Sequence, residues 1–298
     1  MVTLVEIGRA SSSSYGYFGG GYVGPPIDDS VDTIYRIDFS NETVTASTQL
    51  VEENYRQAAV SGGASERIKG SRTYGYFAGG DSGPTDTDII DRIDFSNETT
   101  SAPGTATLSQ ARAKSAAFSS NSYGYFGGGI ITPPGVPTNR IDRIDFSNET
   151  SSLPTATLSQ VSAPGVRYGL AAVSSSSYGY FGGGRGLDDG FSPERLDVVD
   201  RFDFSNETVS LPGNNLSQAR DDLAAVSNSS YGYFGGGERV PTTLSLDTVD
   251  RIDFSNETTS APGNNLPQGR ENLAACSSNS YGYFGGGLTP NSPPPLAI

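Results

Sequence analysis

A tetrapeptide, Tyr-Gly-Tyr-Phe, followed by a run of glycines, recurs six times and constrains the fold more than any other feature. The copies begin at Tyr15, Tyr74, Tyr123, Tyr178, Tyr231 and Tyr281, with Ala78 inside the glycine run of the second copy. Their spacings are 59, 49, 55, 53 and 50 residues. A repeat of this length is typical of units that bury their faces against neighbouring units. We therefore expect a single domain over residues 1–298.

A second block, Arg-Ile-Asp-Phe-Ser-Asn-Glu-Thr, follows five of the six tetrapeptides. It begins at Arg36, Arg92, Arg143, Arg201 and Arg251, with Phe202 replacing the isoleucine in the fourth copy. Period-2 geometry places the two tyrosines of each tetrapeptide on one strand face, with the first glycine and the phenylalanine on the other. Adding a small-residue strand before the tetrapeptide and a short strand after the Ser-Asn turn gives four strands per repeat.

Four short strands in a unit of about 50 residues indicate a β-propeller blade. The sequence predicts an all-β, six-bladed propeller with four antiparallel strands per blade. We place the blades at about residues 9–57, 58–111, 112–162, 163–219, 220–269 and 270–298 plus 1–8. The sixth repeat lacks the second block, so we expect residues 2–7 and Leu296–Ile298 to complete it. An open solenoid and a propeller completed by a neighbouring subunit are the alternatives.

The order of the motifs resembles the kelch-type repeat. That family has a small-residue strand, an aromatic strand ending in a glycine pair and a strand ending in an aromatic-Asp turn. The matching residues are Tyr-Gly-Tyr-Phe-Gly-Gly and Asp-Phe-Ser-Asn-Glu-Thr, while the tryptophan usual in kelch repeats is missing. The resemblance spans nearly the whole chain and implies a kelch-like propeller.

Composition argues against several functional classes. The net charge is -14 and the only lysines are Lys69 and Lys114, so we expect no nucleic-acid partner. The absence of histidine excludes Ser-His-Asp triads and histidine metal sites. The single cysteine, Cys276, fits a small buried hydrophobe. No apolar run is long enough to cross a membrane, so we expect no membrane insertion. These observations predict a protein that is not an enzyme.

The Asp-Phe-Ser-Asn-Glu-Thr turns have three interpretations. Their carboxylates are the hard oxygen ligands that Ca²⁺ takes. The favoured interpretation is that Asp and Asn bond the turn backbone, which predicts no cofactor and keeps Ca²⁺ as the alternative. Asn-Glu-Thr also fits a glycosylation acceptor, conditional on a secretory route that no visible signal segment supports. The acceptor residues are Asn41, Asn97, Asn148, Asn206 and Asn256.

Arginines precede the small-residue strands and allow two interpretations. They form either a positive ring that grips an anion in the channel or buried Arg-carboxylate pairs between blades, and the second is favoured. The set comprises Arg9, Arg56, Arg112, Arg220 and Arg270, with Arg167 a few residues out of step.

The segments that differ between repeats are the better candidates for recognition. Each follows the glycine-ended strand, so all should emerge on one propeller face, and variable loops on a rigid scaffold commonly bind ligands. They span residues 21–32, 81–88, 130–139, 185–196, 238–247 and 288–295. The candidate recognition residues are Asp28, Asp29, Asp81, Asp188, Asp189 and Phe191.

The amino-acid sequences of the two blocks are similar to those of repeat proteins of tailed phages of marine cyanobacteria. The resemblance implies a virion structural or appendage protein: a tail fibre, a host-attachment module or a capsid decoration. Its implied partners are other virion proteins or further copies of itself, with host surface glycans as ligand. The alternative is an extracellular cell-surface or fibre protein glycosylated at the Asn-Glu-Thr turns.

Overall fold

The repeated blocks form β-strands throughout the protein, which we describe from a computed structural model. The structure describes residues 4–5, 8–12, 14–23, 29–51, 53, 55–62, 73–82, 84–103, 105–159, 166–188, 192–239, 244–278 and 280–289. None of these residues lies in a helix, so the all-β prediction is confirmed.

Five repeats each form one four-stranded antiparallel sheet, with the strands in chain order from the inside outwards. Sheet 1 contains β2 (Gly8–Ser11), β3 (Tyr15–Gly19), β6 (Thr33–Asp38) and β7 (Thr43–Gln49). Sheet 2 contains β8 (Ala58–Gly62), β9 (Tyr74–Ala78), β10 (Ile90–Asp94) and β11 (Thr100–Ser101). Sheet 3 contains β12 (Ala116–Ser119), β13 (Tyr123–Gly127), β16 (Ile141–Asp145) and β17 (Thr150–Ser152). Sheet 4 contains β18 (Ala171–Ser174), β19 (Tyr178–Gly182), β22 (Val199–Asp203) and β23 (Thr208–Ser210). Sheet 5 contains β24 (Ala224–Ser227), β25 (Tyr231–Gly235), β28 (Val249–Asp253) and β29 (Thr259–Ser260).

The remaining strands form smaller sheets. Sheet 6 pairs β30 (Glu271–Ser277) with β31 (Gly282–Leu288). A three-stranded sheet joins β1 (Leu4–Val5), β4 (Tyr22–Val23) and β5 (Asp29–Ser30). Three hairpins follow the glycine-ended strands: β14 (Ile130–Ile131) with β15 (Val136–Pro137), β20 (Arg185–Asp188) with β21 (Ser192–Arg195), and β26 (Glu238–Arg239) with β27 (Leu244–Ser245).

The first strands of the six sheets form a closed ring. Each contacts the first strand of the next sheet, and β30 contacts both β24 and β2. The arrangement is a β-propeller. The prediction of six four-stranded blades is wrong in count, because the described residues form five such blades and a two-stranded sixth sheet.

The predicted closure by both termini is described only at β1, which contacts β31 of sheet 6. The N-terminal strand β1 pairs with β4, so its described hydrogen bonds lie within the first repeat and not in the last. Leu296–Ile298 lies outside the described residues. The sixth repeat lacks the block that supplies the third strand, the turn and the fourth strand elsewhere, which explains why its sheet has two strands in the described part of the chain.

The tyrosine face of each second strand packs on the following sheet, and the glycine-phenylalanine face packs on the preceding one. Tyr17 stacks on Phe95 of sheet 2 with ring centroids 5.0 Å apart. Equivalent stacks recur around the ring, and the last joins Tyr283 of sheet 6 to Phe39 of sheet 1 at 5.5 Å. A Cβ built on Gly16 would lie 2.5 Å from Cys276 Sγ, so these two sheets are in close contact. The predicted facing of the tetrapeptide and the burial of Cys276 are confirmed.

We call the interface between two consecutive sheets a seam. Polar contacts also join the sheets at the outer side of each complete seam. The Tyr76 hydroxyl donates to Glu149 Oε1 at 3.0 Å, and Arg92 Nη1 pairs with the same oxygen at 2.8 Å. Burial, followed by the charge of Glu149, raises the pKa of Tyr76, so the phenol remains a donor at neutral pH. The same Tyr-Glu-Arg triad forms at Glu98, Glu207 and Glu257.

The close approach of glycines to aromatic rings gives a stability prediction. A Cβ on Gly179 would lie 2.3 Å from the Phe118 ring, which is buried among Phe181, Phe202 and Phe204 and has no room to move. Gly179→Ala should therefore lower the free energy of unfolding by about 1–3 kcal/mol in chemical denaturation. The control is Gly285→Ala, since a Cβ there meets no atom within 4 Å. It should leave stability unchanged or raise it by up to about 1 kcal/mol. Equal losses in both variants would contradict the packing described here.

Candidate functional site

The first strands enclose a cavity of about 110 Å³ on the propeller axis. In sheets 2 to 4 its walls are the alanine pairs that begin the first strands, including Ala58, Ala116 and Ala171, and in sheets 5 and 6 Leu223 and Leu273 line it. Large side chains at these positions would close the space. The alanine pairs therefore determine that the axis remains open.

Five residues encircle the mouth of this cavity, one from each of sheets 2 to 6. Each stands two residues before the small-residue pair of its sheet, and each has a left-handed backbone with φ between 52° and 63°. They are Arg56, Lys114, Gly169, Asp222 and Asn272, which we call the axial ring.

Backbone hydrogen bonds between neighbouring sheets hold the axial ring. The Lys114 N–H donates to the Arg56 carbonyl at 2.9 Å, and the Gly169 N–H donates to the Lys114 carbonyl at 3.0 Å. Asp222 and Asn272 continue the series at 2.7 and 2.8 Å. These bonds fix a backbone conformation that non-glycine residues otherwise adopt at a cost.

The side chains of the axial ring carry both signs of charge. Lys114 Nζ lies 3.0 Å from both carboxylate oxygens of Asp222, two repeats away. Both side chains are mostly buried, at 16% and 11% exposure. A Cβ on Gly169 would come within 2.8 Å of Asp222 Oδ1, so glycine leaves room for this ion pair. The mouth thus offers donors and acceptors within a small space.

An acidic cluster adjoins the axial ring on the side of sheets 5 and 6. Burial, followed by the charges of Glu238, Asp222 and Asp221, raises the pKa of Glu271 to about 7. Its Oε2 is buried and has no hydrogen-bond partner in the described part of the chain. Burial and the neighbouring Asp222 also raise the pKa of Asp221 to about 6, although Arg195 bonds its carboxylate.

Among the predicted recognition residues, Asp81 lies beside the axial ring. It is 5% exposed and accepts a hydrogen bond from Arg56 Nη1 at 2.8 Å. Burial, followed by a hydrogen bond with Asp81, raises the pKa of Asp86 to about 7. Asp29 and Asp188 lie in β5 and β20, where the structure describes the backbone, while Asp28, Asp189 and Phe191 lie outside the described residues.

Four of the six variable segments begin at the cavity end of the sheets. Backbone bridges join Tyr55 to Asp81, Ala113 to Ile130, Tyr168 to Arg185 and Asp221 to Glu238. Each bridge links the residue before an axial-ring position to the start of a variable segment. The described starts of these four segments therefore lie beside the cavity mouth.

The arginines before the first strands are mostly structural. Three of them are fully buried and pair with the aspartate of the third strand in their own repeat: Arg112 with Asp142, Arg167 with Asp200, and Arg220 with Asp250. The predicted pairing with carboxylates is confirmed, but it lies within repeats and not between them. Arg167 is in register with the others. Arg56 belongs to the axial ring and pairs with Asp81, and Arg270 Nη1 donates to the Gly286 carbonyl at 2.9 Å. The side chain of Arg9 lies outside the described part of the chain.

The repeated turns lie at the opposite end of the sheets. Asp38 Oδ1 accepts hydrogen bonds from Ser40 N and Oγ, which lower the Asp38 pKa, and Asn41 Oδ1 accepts from Thr43 N and Oγ1. The same pattern recurs at Asn97, Asn148, Asn206 and Asn256, and all five asparagines are exposed. The favoured interpretation of Asp and Asn as turn-bonding groups is confirmed. Across the described ranges, no cluster of three or more Cys, Asp or Glu side chains could hold a metal ion.

Sequence reasoning missed most of the axial ring. Lys114, Asp222 and Asn272 belong to no motif and differ from one another. Their position was the available signal. When repeats 2 to 6 are aligned on the Ala-Ala pair, one column carries a different residue in each of the five repeats.

Comparison with protein-family models gives no match, and comparison with curated proteins gives none. The described residues include no helix long and apolar enough to span a membrane.

The raised pKa of Glu271 predicts a pH dependence of stability. A carboxyl whose pKa rises on folding, here from 4.5 to about 7, stabilises the fold below its unfolded pKa and loses that contribution as pH rises through the folded value. The free energy of unfolding should therefore fall between about pH 5 and about pH 8. Glu271→Gln should flatten this decline, while Glu53→Gln, an exposed residue elsewhere, should not. A decline that is identical in all three proteins would contradict the burial of Glu271.

Proposed function

We propose that this protein is a non-enzymatic attachment module of a virion that binds surface carbohydrate at the axial ring and the loops around it. We also propose that the propeller is kelch-like, a comparison that the order of the motifs in each repeat supports.

One observation carries the proposal: the repeats share most of the residues that pack between sheets but carry five different residues at the cavity mouth. A left-handed backbone favours glycine, yet only Gly169 in the axial ring is glycine. The other positions carry arginine, lysine, aspartate and asparagine. Backbone conformation alone does not select these side chains, so their variety is best explained by what they contact.

The chemistry of the mouth suits a hydroxyl-rich ligand. Lys114 and Arg56 supply donors, while Asp222 and Asn272 supply acceptors, and adjacent sugar hydroxyls can serve both. The cavity of about 110 Å³ is smaller than the roughly 300–1,000 Å³ of pockets that enclose drug-sized ligands. It would therefore admit one terminal group, and the rest of the glycan would lie on the variable loops.

The assignment to a virion rests on the resemblance of both blocks to repeat proteins of tailed phages. Near-identical repeats, a negative charge and a loop-rich face are compatible with such a module, in contact with other virion proteins.

The alternative is an extracellular surface protein glycosylated at the turns. One observation favours it: the five Asn-Glu-Thr asparagines are all exposed at the end of the propeller remote from the cavity. Attached glycans there would not obstruct packing between sheets.

The carbohydrate proposal predicts that the chain binds an array of immobilised bacterial surface oligosaccharides. Asp222→Asn removes the negative charge from the axial ring and should weaken binding to the recognised glycan by roughly tenfold or more, since hydrogen bonds to charged groups contribute about 1.5–3 kcal/mol. Asp253→Asn makes the same chemical change at a distant turn and should bind as the unaltered chain does. Failure to bind any glycan, or equal binding by both variants, would show that the axial ring does not bind carbohydrate.

The virion assignment predicts where the native chain runs on a density gradient. It should band with nuclease-protected DNA. A chain that runs free of nucleic acid, with a mass above that of the polypeptide, would refute the virion proposal. Peptide mass spectrometry at the five asparagines would then test the glycosylated surface protein.

A further inference from the structure

Two variable segments that neighbour each other at the cavity mouth are joined at one residue, Asp86. Asp81 and Asp86 form an antiparallel bridge, so the two ends of the segment between them lie side by side. We call residues 81–86 the repeat 2 loop and residues 130–137, which contain β14 and β15, the repeat 3 hairpin. The Asp86 N–H donates to the Thr132 carbonyl at 3.2 Å and so joins the loop to the hairpin.

The carboxyl group of Asp86 makes a second contact with the same hairpin. Its Oδ2 accepts a hydrogen bond from the Thr132 N–H. The Asp86 residue is only 9% exposed, and its Oδ1 is buried without a hydrogen-bond partner in the described part of the chain. A buried carboxylate oxygen that receives no hydrogen bond costs free energy. A proton bound at Oδ1 would turn this atom into a donor.

A second buried carboxyl stands beside it. Asp81 is 5% exposed, and residues opposite each other in an antiparallel bridge have Cβ atoms about 4.5–5.5 Å apart. Arg56 Nη1 pairs with Asp81 Oδ2 at 2.8 Å, and the Tyr55 backbone bonds the Asp81 backbone. The repeat 3 hairpin contributes no titratable side chain. Among the described residues, the charged groups that act most strongly on Asp86 are therefore Asp81 and Arg56.

One proton relieves both the unpaired oxygen and the repulsion between the carboxylates. Burial, followed by a hydrogen bond with Asp81, raises the pKa of Asp86 from 3.8 to about 7. A carboxyl whose pKa is raised by a contact stabilises that contact fully below its ordinary pKa, and this contribution is lost as the pH rises through the raised value. The contact between loop and hairpin is therefore strongest near about pH 4 and has lost this contribution above about pH 7.

We infer that the carboxyl pair of Asp81 and Asp86 is a proton-dependent switch that joins the repeat 2 loop to the repeat 3 hairpin at the cavity mouth. While the pair shares a proton, Asp86 holds the Thr132 amide. When the proton leaves to solvent, two buried carboxylates share Arg56, and the contact with the hairpin weakens. The switch adjoins the axial ring through Arg56. It does not depend on the carbohydrate proposal, because it concerns contacts within the chain.

Amide hydrogen exchange of the full chain, followed by NMR, tests the switch. After correction for the intrinsic pH dependence of exchange, the protection of the Thr132 and Asp86 amides should fall by roughly tenfold or more between about pH 5 and about pH 8. The amide of Tyr125, in the middle of sheet 3, should keep its protection. In Asp86→Asn the side-chain amide accepts from Thr132 and donates to Asp81 without a titrating proton. Protection at Thr132 should then be the same at both pH values.

Two further variants complete the test. Asp145→Asn makes the same chemical change in a turn of sheet 3, where hydrogen bonds from Ser147 hold the Asp145 pKa below its usual range. It should show the same fall in protection as the unaltered chain. Asp81→Asn removes the second negative charge and should move the midpoint of the fall to lower pH by roughly one unit or more. A Thr132 amide whose protection does not change with pH, or an equal fall in Asp86→Asn, would overturn the inference.

Discussion

The interaction on which this propeller depends is the seam between consecutive sheets. A tyrosine from one sheet stacks on the phenylalanine of the next and donates its hydroxyl to that sheet's turn glutamate, which also binds the first sheet's arginine. Each half-exposed ion pair contributes about 1 kcal/mol or less and each aromatic stack about 0.5–1.5 kcal/mol. The same contacts recur at every complete seam, so many small contributions to the free energy of unfolding together stabilise the arrangement of the sheets.

The same seam explains the glycines. Packing a tyrosine face against a phenylalanine face brings backbones and rings close together, as at Gly179 and Phe118. The ring geometry in turn positions the axial residues, because the backbone bonds that link Arg56, Lys114 and Gly169 pass from sheet to sheet. The candidate binding site therefore depends on the packing of the sheets around the axis. Side-chain variety is tolerated there because the backbone is held independently of it.

The seams beside sheet 6 differ from the other four in the described part of the chain. Among the described residues sheet 6 has two strands, and no described carboxylate pairs with Arg251 of sheet 5. On its other side the Tyr283 hydroxyl donates to Glu42 of sheet 1 without an accompanying arginine from a described third strand. These two seams therefore have fewer described polar contacts than the complete ones.

Four features could be predicted from the amino-acid sequence: the all-β class, the repeated unit, the facing of the tetrapeptide and the role of Asp and Asn in the turns. These features depend on period-2 alternation and local turn chemistry, which act over a few residues. Other contacts were visible only once the sheets were packed: β1 pairs with β4, Arg112 pairs within its own repeat and Glu98 binds the preceding sheet. It also assembled the axial ring from residues about fifty positions apart. Such contacts depend on how the sheets pack around the axis, and no local pattern encodes that geometry.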